Sequence, residues 1–214
     1  AYPEAEDYIK AYIRSNTIQK YVELVRNAKS RLTIPVIASV NCFSGGEWVS
    51  FARQLEEAGA DALELNVFIL PVNEFKESAE VENVYFEIVK SIKSQIKIPV
   101  SVKISHYFTN LSAFVDKIKA YGANATTLFN RFYEPDININ TLEMGAASVF
   151  STAAELRTTL RWTGILAGKD KRLEISASTG VHGGEAAVKL LLAGATTVQV
   201  CSVLYEKGIH VIED

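Results

Sequence analysis

Cysteine, histidine and long apolar runs are all scarce in this chain of 214 residues. Its two cysteines, Cys42 and Cys201, lack CxxC spacing, which argues against a disulfide framework and predicts a reducing, cytoplasmic location. The three histidines are scattered and provide no metal-ligand spacing, so no metal is expected. No apolar run reaches the roughly 18 residues of a membrane span, so no membrane partner is expected.

Basic stretches are missing as well. The net charge is −3 and the isoelectric point is near 5.7. Because no run of lysines and arginines is present, neither nucleic acid nor an anionic membrane surface is an expected partner. Hydrophobic residues make up 48% of the chain, which is enough for one substantial core. No linker or low-complexity segment divides the sequence, so we predict a single domain over residues 1–214.

One pattern occurs three times in the sequence, over residues 34–66, 98–130 and 173–201. Each copy has a short apolar strand, a helical stretch, a Gly-Ala pair and a second strand that ends in polar residues. Glycine after a helix allows a left-handed cap, from which the next strand can start directly. Repeated alternation of strands and helices predicts parallel strands joined by crossover helices.

Three double units give six strands, and the closed form of this architecture is the (β/α)8 barrel. A complete barrel typically needs about 250 residues and has its chemistry at the carboxyl ends of the strands. We therefore predict an α/β TIM barrel with about six of its eight βα units in this chain. Two N-terminal strands and a closing C-terminal helix are expected to be absent from the sequence.

The periodicity of apolar residues predicts the individual elements. One segment breaks the rhythm, residues 131–172, and it is predicted to be a long loop that serves as a lid or substrate cover. The predicted helices are 6–28, 47–58, 81–94, 111–120 and 184–192, and the predicted strands are 35–40, 62–65, 100–104, 125–129, 173–177 and 197–200.

Polar residues stand at the predicted strand ends. Asn41, Asn66 and Asn130 each follow or end a strand, and Lys103 lies within an apolar one. A barrel interior tolerates a lysine only where another group pairs with it. Asparagine amides both donate and accept hydrogen bonds, which suits a flat heterocycle with alternating C=O and N–H groups.

The last two strand ends have the features of an anion site. Thr179-Gly180 precedes Gly183-Gly184 and a helix, and Cys201-Ser202 precedes another short helix. Loops after the last two strands of a barrel commonly bind phosphate through backbone N–H groups at helix N-termini. A cofactor with a phosphate tail and a flat ring is therefore implied.

Five pieces of the sequence stand in a characteristic order and spacing. They are Glu64-Leu65-Asn66, Val102-Lys103-Ile104, Leu128-Phe129-Asn130, Ser178-Thr179-Gly180-Val181, and Ala193-Gly194-Ala195 with Val198-Gln199-Val200-Cys201-Ser202. Together they resemble the FMN-dependent dihydroorotate dehydrogenases, over nearly the whole chain. The resemblance implies FMN as cofactor, and hydride transfer between a dihydropyrimidine-like substrate and flavin N5 in pyrimidine biosynthesis. A homodimer is implied by the soluble members of the family.

The resemblance also implies a role for individual residues. Lys103 matches the family lysine beside flavin N1 and O2, where a positive charge stabilises the anionic reduced flavin. Asn41 and Asn66 match amides that contact the flavin or the pyrimidine. Asn130, together with Asn66 and Asn73, matches residues that bind the substrate ring. The residues that match the backbone cradle of the FMN phosphate are Thr179, Gly180, Cys201 and Ser202.

One position departs from the family pattern. Its catalytic base is a Cys or Ser in the loop after the Asn66 strand, in a pattern like Asn-x-Ser-Cys-Pro-Asn. Here Phe68 or Ile69 occupies that position, and neither side chain can take a proton. The base is therefore unassigned, and the open candidates are Tyr133, Ser44 and a residue of the N-terminal strands that are expected to be absent.

Three alternative interpretations stay open. Lys103 could form a structural ion pair with Glu64 inside the barrel. The chain could instead be a non-redox aldolase or isomerase that acts on a phosphorylated metabolite through a Schiff base on Lys103. Because the usual base is missing, it could also be a catalytically silent flavin-binding homologue.

Overall fold

Six parallel strands form one sheet in the order of the chain. The structure, a computed structural model, describes residues 3–41, 45–132 and 134–213. In the main sheet each strand pairs with the strand that precedes it there. Sequential parallel strands joined by helices are the architecture of a (β/α) barrel. The predicted fold class is confirmed as a partial TIM barrel.

Each predicted helix and strand is observed, with ends that differ from the predicted ones by at most three residues. None of the described helices is long and apolar enough to cross a membrane. Within the described residues the strands are β1 (Ile37–Val40), β2 (Ala62–Asn66), β3 (Val100–Ile104), β4 (Ala125–Leu128), β5 (Pro135–Asn138), β6 (Glu143–Ala146), β7 (Glu174–Ala177) and β8 (Thr197–Val198). The helices are α1 (Pro3–Arg31), α2 (Gly45–Glu57), α3 (Ser78–Lys93), α4 (Leu111–Ala120), α5 (Leu156–Lys169), α6 (Gly184–Leu192) and α7 (Ser202–Lys207), with short 3-10 helices at Ala153–Glu155 and Ile209–Ile212.

The two faces of the main sheet differ in polarity because side chains alternate across each strand. Leu63 and Leu65 of β2 are completely buried in the hydrophobic core that the strands and helices share, and so is Val102 of β3. Glu64 lies between the two leucines and Lys103 directly follows Val102, and both line a cavity of about 540 Å³ on the other face. The inner face of this sheet is therefore polar.

The glycines that the repeat places after a helix all have positive φ: +94° at Gly59, +113° at Gly122 and +109° at Gly194. At the first of these turns the Gly59 N–H donates to the Glu56 carbonyl at 2.9 Å. The next N–H, of Ala60, donates to the Leu55 carbonyl at 3.0 Å. The predicted left-handed caps are confirmed, and at each of these three glycines the chain turns directly from helix to strand.

Residues 131–172 are not one long loop, and for residues 156–169 that prediction was wrong. Strands β5 and β6 pair as an antiparallel hairpin, and α5 is the crossover helix from β4 to β7. The sequence did not indicate this helix because its buried face carries Thr159 and Thr163 beside Leu166 and Ala167. Two threonines thus occupy positions where helical periodicity requires apolar residues. Residues 134–152, which include the hairpin, are called the lid segment below.

We expect Gly194→Ala to destabilise the fold more than Gly59→Ala. Either substitution places a Cβ on a residue with positive φ, which costs roughly 1–2 kcal/mol. At Gly194 the new Cβ would also lie 2.4 Å from the Ala167 Cβ, whereas at Gly59 the nearest atom is the Lys29 Cγ at 3.6 Å. Overpacking at Gly194 adds about 1–3 kcal/mol. Urea unfolding followed by circular dichroism measures the difference, and equal losses in the two variants would contradict this contact.

Candidate active site

A cavity of about 200 Å³ lies at the carboxyl ends of β3, β4, β7 and β8. It shares Lys103, Ser178, Gln199 and Cys201 with the larger cavity on the inner face of the sheet. Because the residues predicted for the ring and those predicted for the phosphate line one space, a single elongated ligand could contact both sets. The predicted site residues in its lining are Lys103, Asn130, Thr179, Gly180, Cys201 and Ser202.

Lys103 reaches this cavity within a network of buried polar groups. Its Nζ donates to Gln199 Oε1 at 3.0 Å and lies 3.6 Å from Glu64 Oε1. Glu64 is only 4% exposed, and it also accepts from Ser39 Oγ at 2.9 Å and from Thr127 Oγ1 at 2.8 Å. The ion pair with Glu64 that one alternative expected is therefore present, and the side chain of Lys103 still lines the cavity.

Asn66 and Asn130 form a pair at the top of neighbouring strands. Asn66 ends β2, and its Oδ1 accepts a hydrogen bond from Asn130 Nδ2. The backbone N–H of Asn130 donates to the Ile104 carbonyl at 2.7 Å, which fixes the position of this residue beyond β4. The two amides predicted to bind a ring are thus adjacent, although only Asn130 lines the cavity.

The turn at Thr179 and Gly180 follows β7 and has left-handed backbone at both residues, with φ of +81° and +82°. Thr179 Oγ1 donates to the Phe129 carbonyl at 2.9 Å, which holds the turn against the end of β4. A Cβ at Gly180 would lie 2.2 Å from the Leu156 N and 2.9 Å from the Glu155 C. Glycine is therefore required here by the close approach of α5, whatever else the turn binds.

Ser202, the second residue of the predicted phosphate cradle, is contacted by the lid segment. Its Oγ accepts from the Ser151 N–H at 2.9 Å and from Ser151 Oγ at 3.1 Å. Ser151 Oγ also lies 3.2 Å from His182 Nε2, and His182 Nδ1 lies 3.7 Å from Glu206 Oε2. The lid segment thus touches the cavity at the position that the resemblance assigns to phosphate.

Aromatic rings pack around the position where the family has its base. The Phe68 ring packs edge-on against Phe132, with centroids 4.2 Å apart and an angle of 85°. Phe132 in turn stacks on Tyr107 at 5.4 Å, and Ile69 packs against the hydrophobic core. Phe68 and Ile69 thus have packing roles here. The other two base candidates, Tyr133 and Ser44, lie outside the described residues.

Besides Asn66, two predicted site residues do not line this cavity. Asn41 follows β1 and lines a separate cavity of about 390 Å³ beside Tyr21 and Ser39. Asn73 lies in the exposed loop between β2 and α3, where its Oδ1 accepts from the Phe75 N–H at 3.0 Å. This contact is a local turn of the kind that asparagine favours.

Arg131 anchors the lid segment from the end of β4. Its guanidinium donates to Glu155 Oε1 at 2.9 Å, to Glu134 Oε2 at 2.8 Å and to the carbonyls of Ser148 and Val149 at 2.9 and 3.2 Å. One planar side chain therefore joins both ends of the segment, a use that suits the five donors of arginine.

Gln199 and Arg131 are two site residues that sequence reasoning missed. Gln199 carried a signal, because it is polar between Val198 and Val200 and therefore faces the same side of the sheet as Lys103. Arg131 carried none, since its four acceptors come from residues whose folding into a hairpin and a short helix was not predicted. Within the described residues no group of three His, Cys, Asp or Glu side chains is arranged to hold a metal ion.

The model of the dihydroorotate dehydrogenase family matches residues 14–214. The chain belongs to the dihydroorotate dehydrogenase family. The enzymes of this family are oxidoreductases that use FMN.

Relatives of two types match the chain. The catalytic subunit of dihydroorotate dehydrogenase B (NAD(+)) from Thermoplasma acidophilum is 30% identical and aligns with 92% of this chain and 66% of its own length. Dihydroorotate dehydrogenase A (fumarate) from Lactobacillus helveticus is 26% identical over 85% of this chain and 61% of its own length. The chain therefore spans somewhat less than two thirds of these dihydroorotate dehydrogenases.

The fold likeness extends to a solved structure of DHODH in complex with ferulenol from Eimeria tenella. Its TM-score is 0.68 at 15% sequence identity, and the match covers 91% of this chain and 60% of that chain. At this level of identity the likeness shows the fold alone. The shared fold agrees with the partial barrel described above for this chain.

We expect Glu155→Gln to loosen the lid segment. Partial burial acts to raise the pKa of the Glu155 carboxyl, but hydrogen bonds from the Thr152 N–H and from Arg131 outweigh it and hold that pKa below the ordinary value of 4.5. Removing the charge weakens the anchor, so thermolysin should cleave residues 134–152 about two- to fivefold faster, as for a partly exposed ion pair. Glu143→Gln, with the same change on the exposed β6, is the control and should leave cleavage unchanged.

The same anchor should depend on pH. Because folding lowers the pKa of Glu155, the ion pair stabilises the lid fully above pH 4.5, and this contribution is lost as the pH falls through the folded-state value. Hydrogen exchange of residues 134–152, corrected for intrinsic rates, should therefore rise in the wild type below pH 4.5. An equal rise in Glu155→Gln would contradict the assignment to Glu155.

Proposed function

We propose that this chain forms the catalytic barrel of an FMN-dependent enzyme of the dihydroorotate dehydrogenase type, which moves a hydride between a dihydropyrimidine-like ring and flavin N5. The observation that carries the proposal is the single cavity that joins Lys103 and Asn130 to Thr179 and Ser202. Resemblance to the family adds pyrimidine biosynthesis in the cytoplasm and a homodimeric assembly.

The charge of the cavity fits an anionic ligand such as FMN. Lys103 and Arg131 are both in the lining, and none of its described residues is acidic. The hydroxyls of Thr179 and Ser202 and the backbone of the Gly180 turn supply the neutral groups that commonly surround a phosphate. The larger cavity beside it, about 540 Å³, gives room for a ring system next to Lys103.

FMN, when bound, supplies the hydride acceptor, and the side chains of this chain bind and orient. Lys103 would stabilise negative charge on the ring, and Asn130, held by Asn66, would orient the substrate ring through its amide. Thr179 and Ser202 would hold the phosphate at the other end of the cavity. Since Phe68 and Ile69 cannot accept a proton, the acceptor for the second substrate hydrogen lies elsewhere.

We expect the purified full-length protein to show flavin absorption and to release FMN on denaturation. Lys103→Met should slow flavin reduction by at least about tenfold, because a hydrogen bond to a charged group contributes about 1.5–3 kcal/mol. Lys97→Met, an exposed lysine outside both cavities, is the matched control. A colourless protein that cannot be reconstituted with FMN would contradict the proposal.

The packing of Phe68 against Phe132 favours a second candidate, a flavin-binding protein that does not oxidise dihydroorotate. The aldolase or isomerase alternative has less support. A Schiff-base lysine acts as a neutral amine in an apolar pocket, whereas Lys103 contacts a carboxylate and an amide.

Anaerobic mixing with dihydroorotate separates the two flavin-binding candidates. If the protein is a dehydrogenase, we expect the flavin of the wild type to bleach on mixing. If the family base has been lost, only Phe68→Cys or Ile69→Cys should allow bleaching, because a thiol restores a group that can accept a proton. Photoreduction of the flavin in each variant controls for intact cofactor binding.

A further inference from the structure

The contacts of Gln199 leave only one orientation for its amide. Its Nε2 donates to Glu64 Oε2 at 2.6 Å, and its Oε1 accepts from Lys103 Nζ at 3.0 Å. An ionised carboxylate can only accept and an ammonium can only donate, so a flipped amide would lose both hydrogen bonds. Gln199 therefore acts as a fixed spacer between the positive and the negative group.

Glu64 is a buried carboxylate whose two oxygens are both contacted by side chains of the protein. Four side chains from other elements contact its two oxygens, namely Ser39, Thr127, Gln199 and Lys103. Water contributes little at 4% exposure, so the field of this carboxylate is only weakly screened. Lys103 is the basic group that pairs with it, and its Nζ is held 3.6 Å away by the bond to Gln199.

We propose that Glu64 and Gln199 are positioning residues that set how much of the positive charge of Lys103 acts on a bound flavin, and thereby set the reduction potential of that flavin. The inference rests on the proposed function. A flavin that takes up a hydride from a dihydropyrimidine gains two electrons and one proton, and the anionic reduced ring carries one more negative charge. The substrate loses that hydride and one further proton. A nearby positive charge favours the reduced ring, and a carboxylate behind the ammonium opposes it.

The two residues act with opposite sign. Glu64→Gln removes the opposing charge and keeps the shape of the side chain, so the reduced flavin becomes more stable and the potential rises. Gln199→Met removes the spacer, so the Lys103 ammonium can close on Glu64 and withdraw from the cavity. The reduced flavin then becomes less stable, and the potential falls.

Redox titration of the flavin-loaded full-length protein with a reference dye tests this inference. We expect Glu64→Gln to raise, and Gln199→Met to lower, the ratio of reduced- to oxidised-flavin affinity by about tenfold, which is about 30 mV for a two-electron couple. Ser176→Ala, on the same inner face but with no bond to Lys103 or Glu64 among the described contacts, is the control and should not shift the potential. In a Lys103→Met background the effect of Gln199→Met should vanish.

The possible outcomes separate this inference from the proposed function. If the wild type binds FMN but the two variants shift the potential in the same direction, or not at all, the positioning role is overturned and the proposed function stands. An effect of Gln199→Met that persists in Lys103→Met would also overturn it, since Gln199 would then act without the lysine. If no flavin binds to the wild type, the proposed function fails and this inference fails with it.

Discussion

A carboxylate buried between parallel strands has to be matched by donors from the strands beside it, and Glu64 imposes this requirement on the whole inner face of the sheet. Ser39 on β1, Lys103 on β3, Thr127 on β4 and Gln199 after β8 all contribute to the match. The polar interior is thus one connected unit, and a ligand at the carboxyl ends of the strands meets its edge through Lys103. Hydrophobic packing between strands and helices stabilises the barrel from the other face.

The regular part of the fold could be predicted because local signals repeat. Each Gly-Ala pair marks the end of a helix and the start of a strand, and the observed φ values at Gly59, Gly122 and Gly194 agree with that interpretation. Helix α5 could not be predicted in the same way, since Thr159 and Thr163 occupy its buried face. Buried threonines satisfy packing without giving the apolar periodicity that identifies a helix.

The site residues that could be predicted are those whose positions are fixed by the strands alone. Lys103 and Asn130 are carried by strands or lie directly after them, so their place in the cavity followed from the strand pattern. Asn41 also directly follows a strand, but that strand is β1, at the opposite edge of the main sheet from β8, and Asn41 lines a different cavity. Asn73 belongs to a connection whose course depends on side-chain contacts, and it lies away from the cavity. Arg131 is the extreme case, because its role depends entirely on how the lid segment folds.

Gly180 leaves so little room beside Leu156 that the start of α5 is set by the turn after β7. The crossover helix is thus positioned by the turn after the strand that it leads to, and not only by the residues that precede it. The same turn therefore has two structural duties, since it lines the cavity and also limits how closely α5 can approach β7.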